Sequence, residues 1–435
     1  MRIAWCFLFL MLCSANAFGQ NLLWEMMDDA SGGTDVARAL TLSTRAAIFI
    51  GNASNSADDV NDLVIQSLRR RNGSVLWTDR VPMAHGLVLD LQIASHQGRV
   101  FAAGYVPGAV VSSTDMVIRG YDGLRGTLLW NSVWDAGRDD LPQALVAGPT
   151  AVVVVGYGGN VPGQPVNFLV RAYEPGSGLI LWEDRVERPD LDTTAAWTVA
   201  ITRNRVFVAG NTLSGTARDL LLRAYNAFSG ELVWETTRPS TTPTAIKVVA
   251  GRVFLAGSSF NSSYVGALDA KNGEWLWEDD ATGPSGGFGD LAVHGQRVVA
   301  AGSVGPNLLL RAYDASTGTV EWQDQPPVSP GYNDRASAVV LNARAVYVVG
   351  SSFQPFGSSE MLVRAYGVDG TLLWDDRSHR SVGVPGTSAV DVALGKHRLF
   401  VTGYAQGVRT DFVVRAYDVR ADGTASQLET ATLSD

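Results

Sequence analysis

The chain has 435 residues and a formal net charge of −9 at pH 7, from 34 basic and 43 acidic side chains. A surface that binds nucleic acid needs a basic excess, so this balance argues against a nucleic-acid partner. The two cysteines, Cys6 and Cys13, both lie near the start of the chain. The rest of the sequence therefore offers no thiol for a structural disulfide, for thiol catalysis or for a cysteine metal site.

Residues 1–19 have the pattern of a secretory signal peptide, with an apolar run from Ile3 to Cys13 followed by the small residues 15–17. The run has about eleven residues, too few to span a bilayer. Leu12, rather than a small residue, precedes Cys13, so lipid anchoring is not expected. No later stretch reaches transmembrane length. The sequence predicts an exported protein, periplasmic or extracellular, without a transmembrane segment.

One repeat organises residues 20–435, and its clearest copy runs from Arg223 to Trp234 as Arg-Ala-Tyr-Asn-Ala-Phe-Ser-Gly-Glu-Leu-Val-Trp. Each copy has a glycine four residues before its tryptophan, and most copies begin with an arginine two residues before a tyrosine. The copies end at Trp77, Trp130, Trp182, Trp234, Trp277, Trp322 and Trp374. Their spacing of roughly 40 to 50 residues is typical of a repeat architecture.

Each repeat predicts four β-strands. Residues 219–225 form a short apolar strand, residues 226–230 supply turn residues, and residues 231–234 return as a second strand. The apolar run at 206–210 and a weaker run before it give two more. Four antiparallel strands per unit at this period indicate an all-β fold, a β-propeller that occupies residues 20–435 as a single domain.

The ends of the chain determine the number of blades. Seven repeats end in a tryptophan, and an eighth set of strands follows at 391–417 without one. Conversely, Trp24 lies in an outer-strand sequence that has no strands ahead of it. We predict eight blades, with seven as the alternative, and expect the N-terminal strand to complete the last blade. Such closure removes free sheet edges.

The repeat from Ala267 to Trp277 reads A-x-D-x-x-x-G-x-x-x-W, and the copy that ends at Trp130 departs from it only by Gly120 at the first position. This pattern resembles the repeat of the quinoprotein-like propellers. In character the chain is closest to their non-enzymatic exported members, such as the outer-membrane assembly propeller of Gram-negative bacteria. The resemblance implies that each tryptophan docks between neighbouring blades, near the repeat glycine.

A second periodic feature joins arginine, tyrosine and aspartate. Strand alternation places the Arg and Tyr of one repeat, such as Arg223 and Tyr225, on the same face. An aspartate follows most tryptophans by two residues: Asp79, Asp184, Asp279, Asp324 and Asp376. We predict a lattice of salt bridges between blades. A ring of arginines that binds an anion in the channel is the alternative.

Innermost strands line the axis of a propeller. The predicted lining residues are Ala39, Gln92, Ala144, Thr198, Ala245, Asp290, Ala338 and Asp391. Most are small, as a narrow channel requires. Asp290 and Asp391 are expected to be solvated, with a channel ion as the alternative.

Signs of chemistry are few. The resemblance also includes quinone-dependent dehydrogenases. Those enzymes use a calcium ion held by Glu, Asn and Asp, a catalytic Asp and often a disulfide between adjacent cysteines. Here that disulfide is impossible after the leader, and no histidine pair or Ser-His-Asp pattern stands out. Residues 58–62 carry acidic groups without the spacing of a calcium loop. No catalytic, cofactor-binding or metal-binding residue is therefore predicted.

Two functions stay open. The first is an exported, non-enzymatic binding or scaffolding propeller that needs no cofactor and acts as a monomer. The second is a short quinoprotein oxidoreductase that uses pyrroloquinoline quinone with calcium. The absence of the cysteine pair and of a ligand motif favours the first.

The partner, a protein or a small-molecule or glycan ligand, is predicted to bind the face that carries long and variable connections. These connections are expected at 131–141, 183–195, 278–289 and 323–335. Loops held by a rigid scaffold often carry binding sites, and partly exposed aromatics often anchor them. The aromatic candidates are Trp134, Trp197, Phe288 and Tyr332. Local packing is the alternative for each of them.

Overall fold

Strands of similar length follow one another along the whole described chain, and the described residues contain no helix. The structure is a computed structural model. It describes residues 22–28, 33–54, 60–85, 90–108, 113–135, 139–159, 166–188, 191–260, 262–282, 286–326, 333–353, 358–378, 386–406 and 410–419. The predicted signal peptide lies outside these residues and stays a prediction.

The strands form four-stranded antiparallel blades, each numbered by its place in the ring. Blade 1 has β2 (Asp35–Leu42), β3 (Ala46–Ser54), β4 (Val60–Arg69) and β5 (Val75–His85). Blade 2 has β6 (Gln92–His96), β7 (Arg99–Pro107), β8 (Thr114–Asp122) and β9 (Leu128–Trp134). Blade 3 has β10 (Leu141–Ala147), β11 (Val152–Gly158), β12 (Asn167–Tyr173) and β13 (Ile180–Val186). Blade 4 has β14 (Thr193–Ile201), β15 (Arg205–Ser214), β16 (Ala217–Asn226) and β17 (Leu232–Arg238).

The second half of the ring repeats this order. Blade 5 has β18 (Thr241–Val249), β19 (Arg252–Ser259), β20 (Ser262–Asp269) and β21 (Trp275–Thr282). Blade 6 has β22 (Gly286–His294), β23 (Arg297–Val304), β24 (Asn307–Asp314) and β25 (Val320–Asp324). Blade 7 has β26 (Asn333–Leu341), β27 (Ala345–Phe353), β28 (Ser359–Gly367) and β29 (Leu372–Ser378). Blade 8 has β30 (Gly386–Leu394), β31 (Arg398–Gln406), β32 (Thr410–Asp418) and β1 (Leu22–Asp28).

The N-terminal strand closes the ring, as predicted. β1 pairs antiparallel with β32, with Trp24 opposite Ala416. Arg415 also donates from Nε to the Glu25 carboxylate at 2.6 Å. Because β2 packs against β30 and β31, the last blade meets the first. The prediction of an eight-bladed all-β propeller with an N-terminal closing strand is confirmed.

The position of a strand within its blade explains its sequence. The middle strands lie between two neighbouring blades and are buried on both faces, so they read as continuous apolar runs; all seven residues of β12 are buried. In the outer strands, buried and exposed side chains alternate instead, because one face of the strand meets solvent. In β13, Trp182 is buried and its two neighbours are exposed. This difference allowed the strands to be assigned from sequence.

Each repeat tryptophan docks on the next blade. The indole Nε1 of Trp182 donates to the Ala227 carbonyl at 3.1 Å, and the ring stacks on Tyr225 with centroids 5.6 Å apart. Gly230 lies against the ring at φ +73°, and a Cβ there would come within 2.6 Å of it. Only glycine satisfies both constraints. The same indole hydrogen bond recurs at Trp24, Trp77, Trp130, Trp234, Trp277 and Trp322.

The predicted salt-bridge lattice is present at the same seams. Arg223 Nη1 lies 2.5 Å from Asp184 of the preceding blade, and the Tyr225 hydroxyl donates to the same carboxylate at 2.7 Å. Glu235, directly after the tryptophan of its own blade, pairs with Arg223 Nε at 2.9 Å. Asp79, Asp279, Asp324 and Asp376 accept the corresponding tyrosine hydroxyl. The repeated arginines therefore have carboxylate or amide partners at the seams, and the alternative of an anion-binding ring in the channel is wrong.

The outer strands are longer than predicted. They continue past the tryptophan because the following residues pair with the third strand, as Glu235 does with Arg223 in blade 4. The connections on the variable face therefore shorten to residues 135–140, 187–192, 283–285 and 325–332. Trp134 consequently lies in β9, and Phe288 lies in β22. Both residues therefore lie beside the variable connections, not within them.

Candidate functional site

A β-bulge in the innermost strands decides which side chains surround the channel. In β14 the pairing register shifts between Ala196 and Thr198, which leaves Trp197 as the extra residue. The same shift makes Arg38 the extra residue in β2 and Gln143 the extra residue in β10. A bulged residue is unpaired, and its side chain is re-aimed relative to a regular strand. Of these three larger residues, Arg38 lines the channel, and Gln143 and Trp197 occupy the same bulge position in blades 3 and 4.

The bulged residues on the other side of the ring are smaller: Thr244, Gly289, Ser337 and Val390. The ring is thus lopsided at this level, with its large polar groups in blades 1, 3 and 4. Such asymmetry is unexpected if the bulge served only to shape a symmetrical scaffold. It singles out one side of the channel as the place to look for a site.

The channel has a volume of about 1090 Å³. It is lined by small residues together with the charged side chains Arg38, Lys247, Asp290, Asp391 and Lys396. Of the predicted lining positions, Ala39, Gln92, Asp290, Ala338 and Asp391 are among the lining residues.

Two of these residues hold the ring together and are not simply solvated, which corrects the prediction. Asp391 of blade 8 accepts the backbone N–H of Leu40 in blade 1 at 2.7 Å and that of Val392 at 2.8 Å. Asp290 of blade 6 similarly accepts the N–H of Val339 in blade 7 at 2.9 Å. Burial raises the pKa of Asp391 to about 6. These carboxylates replace backbone partners that the bulges remove.

At the channel mouth, five side chains from four blades come together: Arg38, Asp90, Gln143, Tyr157 and Trp197. We call them the channel-mouth cluster. Asp90 lies beside the Gln143 side chain and faces Arg38 and Tyr157. Tyr157 and Trp197 meet edge to face, with centroids 5.8 Å apart. All five side chains are partly exposed, so they are accessible to a ligand. Their contacts with one another also hold them in place.

Arg38 differs from the repeated arginines. Its Nε donates to the Asn52 side-chain oxygen at 3.3 Å, and among the described residues it makes no salt bridge within 4.0 Å. Burial lowers the pKa of Arg38, and burial raises the pKa of the nearby Asp90. Both charged groups therefore lack part of the stabilisation that water would give them. The Trp197 indole N–H is also buried without a hydrogen-bond partner in the described structure.

The four aromatic residues predicted for partner binding lie in different environments. Trp197 joins the channel-mouth cluster. Trp134 is only 5% exposed and Phe288 is 0% exposed, so both contribute to packing as they stand. The Arg171 guanidinium lies 3.8 Å above the Trp134 ring, which explains why that tryptophan is covered. Tyr332 lies outside the described residues.

Sequence reasoning missed Arg38, Asp90 and Gln143. The predicted lining positions Ala39 and Ala144 are the residues directly after Arg38 and Gln143, so the bulge displaced the prediction by one residue. Regular alternation cannot reveal an inserted residue. A charged side chain inside an otherwise apolar innermost strand was the available signal.

A family model described as outer membrane protein assembly factor BamB matches residues 166–360. This segment contains the strands from β12 to β28, with the docked tryptophans and the seam lattice described above. Over this segment, the β-propeller is similar to that family. No curated protein sequence matches this chain. The match thus supports the resemblance on which the blade assignment was based.

Solved structures of similar shape agree on the fold of this propeller. Quinohemoprotein alcohol dehydrogenase from Comamonas testosteroni is 14% identical with a TM-score of 0.56, over 95% of this chain and 78% of that one. The Dos1 propeller is 10% identical with a TM-score of 0.60, over 92% and 96%. A europium-containing methanol dehydrogenase is 12% identical with a TM-score of 0.56, over 91% and 93%. At such identities, the likeness concerns architecture alone.

Proposed function

We propose that the protein is an exported, non-enzymatic binding propeller that holds a ligand or partner at the channel-mouth cluster. The observation that carries this proposal is the state of Arg38, a half-buried guanidinium without a carboxylate partner in the described structure. The repeated arginines at the seams have such partners or an amide in their place. A desolvated cation whose facing carboxylate, Asp90, lies beyond salt-bridge distance is a natural anchor for an anionic group.

The cluster defines the chemistry of the ligand. Arg38 suits a carboxylate, because a guanidinium can donate two parallel hydrogen bonds to it. Asp90 and Gln143 suit hydroxyl or amide groups. Tyr157 and Trp197 offer apolar surface, and the indole N–H offers one further donor. A carboxylate-bearing glycan, small molecule or protein segment meets all three requirements.

Export is supported by two observations. The sequence has the pattern of a signal peptide, and the matching family model is that of an outer membrane assembly factor. In the described part of the chain, no helix has the length and apolarity to cross a membrane. A periplasmic or extracellular location follows for the proposed binding role.

The described residues at the mouth do not fit pyrroloquinoline quinone with calcium. Calcium takes oxygen ligands, mainly carboxylates and carbonyls. Asp90 lies beside Gln143 and faces the positive charge of Arg38, which opposes a second cation at the same place. This arrangement argues against a calcium ion beside Arg38 at the mouth.

The enzymatic alternative has a direct test. The purified protein is mixed with pyrroloquinoline quinone and calcium, desalted, and assayed for quinone absorbance and for dye-linked oxidation of alcohols and sugars. We expect neither retained quinone nor oxidation. Stoichiometric retention together with oxidation would replace the binding proposal with an oxidoreductase.

The binding site is tested by ligand capture. The wild-type protein, Arg38→Gln and Arg203→Gln are immobilised in equal amounts and exposed to envelope extract from the exporting cell. Arg203 is an exposed arginine in the short turn between β14 and β15, so it controls for loss of one charge at the opposite face. We expect molecules retained by wild type and Arg203→Gln to be lost from Arg38→Gln. Equal retention by all three would remove the channel mouth as the site.

A further inference from the structure

Basic side chains crowd one part of the face that carries the short turns, opposite the variable connections. Arg69 ends β4, and Arg70 and Arg71 begin the turn that follows it. Arg45 lies in the turn between β2 and β3, and Lys396 lies in the turn between β30 and β31. We call these five residues, where blade 8 meets blade 1, the basic turn patch. It gathers positive charge in a chain whose formal net charge is −9.

Blade 1 departs from the charge pattern of its own repeat at this turn. In blades 2, 5, 6 and 8 the third strand ends in an aspartate opposite an arginine of the second strand, as Asp122 lies opposite Arg99. In blade 1 the same pair is Arg69 opposite Ala46. The acid is thus replaced by a base. Among the described residues, no carboxylate lies within 4.0 Å of a basic group of the patch.

Contacts of Arg70 hold the turns of the patch together. Its backbone N–H donates to the Arg45 carbonyl at 3.2 Å, and its Nη1 donates to the Ser43 carbonyl at 3.3 Å. Its guanidinium reaches blade 8, 5.3 Å from the Phe400 ring centroid, and Arg398 donates to its carbonyl. Burial lowers the pKa of Arg70, and the charge of Arg398 lowers it further. An anion at this surface would relieve the repulsion between like charges.

Exposed apolar side chains border the patch at the rim of the propeller. Val75, which begins β5, is 48% exposed, and Leu22, which begins β1, is 38% exposed. Val75 has exposed equivalents in other blades, such as Leu128 and Leu232, but no run of arginines precedes those residues. The seam of blades 8 and 1 therefore combines exposed positive charge with exposed apolar surface.

The shape of this face favours a flat partner. The connections at residues 43–45, 70–74 and 395–397 are short, so the basic side chains stand at one level. Arg45, Arg69, Arg71 and Lys396 are exposed there, and Arg70 is half-buried. Several of these charges can therefore touch a planar surface at the same time.

We propose that the basic turn patch binds the surface of a membrane that contains anionic phospholipid. The negative potential of such a surface attracts arginine and lysine, and apolar side chains beside them enter the headgroup region. The patch supplies the first component, and Leu22 and Val75 supply the second. An acidic protein matches the charge but gives no role to the apolar border. This site is separate from the channel-mouth cluster, which membrane binding would leave on the opposite face.

Vesicle binding tests the proposal directly. The protein from residue 20 onward is sedimented with vesicles of phosphatidylcholine alone and with vesicles of phosphatidylcholine mixed with phosphatidylglycerol. We expect binding to the mixed vesicles only, and weaker binding as the salt concentration rises, because salt screens exposed charges. Equal binding to both kinds of vesicle, or binding to neither, would overturn the proposal.

The variant Arg69→Asp gives blade 1 the aspartate of its repeat. In blade 2 the equivalent Asp122 accepts the backbone N–H of Leu124 at 3.0 Å and that of Arg125 at 2.8 Å, so a turn of this kind accommodates the carboxylate. We expect an unchanged melting temperature. Vesicle binding should weaken about 25-fold, since the charge changes by two units and each is worth about fivefold. Unchanged vesicle binding would remove the patch as the site.

A matched pair of double variants makes the test independent of that substitution. Arg71→Gln with Lys396→Gln removes two exposed charges from the patch. Arg203→Gln with Lys271→Gln removes two exposed charges from blades 4 and 5 on the same face. We expect about 25-fold weaker vesicle binding in the first pair and binding within about twofold of wild type in the second. Equal losses in both pairs would show that net charge governs binding, and the patch would be the wrong site.

Two further comparisons separate the possible partners and the two sites. Soluble polyglutamate serves as an acidic polypeptide. If wild type binds it, Arg69→Asp does not, and wild type ignores the mixed vesicles, then the partner is an acidic protein and the membrane proposal is wrong. Arg38→Gln should bind vesicles as wild type does, and Arg69→Asp should keep the ligand capture of the channel mouth. This test and that of the proposed function can therefore fail separately.

Discussion

The seam between blades 3 and 4 and the channel mouth use similar residues in opposite ways. At the seam, Arg223 has two carboxylate partners and the Trp182 N–H has a carbonyl acceptor. At the mouth, Arg38 has only an amide oxygen, and the Trp197 N–H has no acceptor in the described structure. The repeated positions are satisfied within the fold, whereas these singular positions are only partly satisfied by the described residues, and the binding proposal rests on that difference.

The seam between blades 2 and 3 is less regular than the seam between blades 3 and 4, because some of its repeated contacts are missing. Ser132 stands where other repeats have the aspartate, and the buried Tyr173 hydroxyl, which it faces, lacks a hydrogen-bond partner in the described structure. Arg171 pairs with Glu183 at 2.5 Å and covers Trp134 instead. Here the chain departs from its repeat at several positions at once. This seam therefore lacks the tyrosine–aspartate contact that other seams repeat.

The largest expected effect compares two tryptophans. Trp182→Ala should lower the free energy of unfolding by about 3–5 kcal/mol, because it empties a buried dock and removes a satisfied hydrogen bond. Trp197→Ala should cost about 1–2 kcal/mol, since its ring is partly exposed. Denaturant unfolding of both variants measures the difference. Equal losses would mean that the mouth is as much a part of the scaffold as the seams.

A smaller gain is expected from repairing the irregular seam. Ser132→Asp restores the repeat aspartate and offers an acceptor to the Tyr173 hydroxyl, which should stabilise the protein by about 1 kcal/mol. The matched control is Ser229→Asp, on an exposed turn of blade 4. Thermal and denaturant unfolding measure both variants. A loss of stability in Ser132→Asp alone would show that this seam is adapted to lack the carboxylate.

The smallest expected effect concerns pH. The folded pKa of Asp391 is about 6, above its ordinary value of 3.8. Between pH 7 and pH 5 the folded state therefore takes up a proton that the unfolded state does not, and this group's contribution to stability increases as pH falls. The gain is about 1 kcal/mol over this interval. It is measured as the difference in unfolding free energy between wild type and Asp391→Asn at each pH. A difference that stays constant with pH would show that Asp391 does not titrate in this range.

Much of the scaffold was predictable because it repeats. One tryptophan, one glycine and one Arg-Tyr pair per unit predicted the blades, their number and their lattice, since each contact is made again at the next seam. The outer strands were predicted too short, because pairing with the third strand continues past the tryptophan into residues such as Glu235. Local propensity does not show where a neighbouring strand ends.

The sequence by itself determined the all-β class, the eight blades, the closing role of Trp24 and the aspartate partners of Arg119, Arg223 and Arg311. Only the tertiary structure showed which residues come together at the candidate site. The bulges that present Arg38 and Trp197 shift the register by one residue, which periodicity cannot show. Repetition encodes contacts that recur, whereas a contact made once depends on the assembled ring.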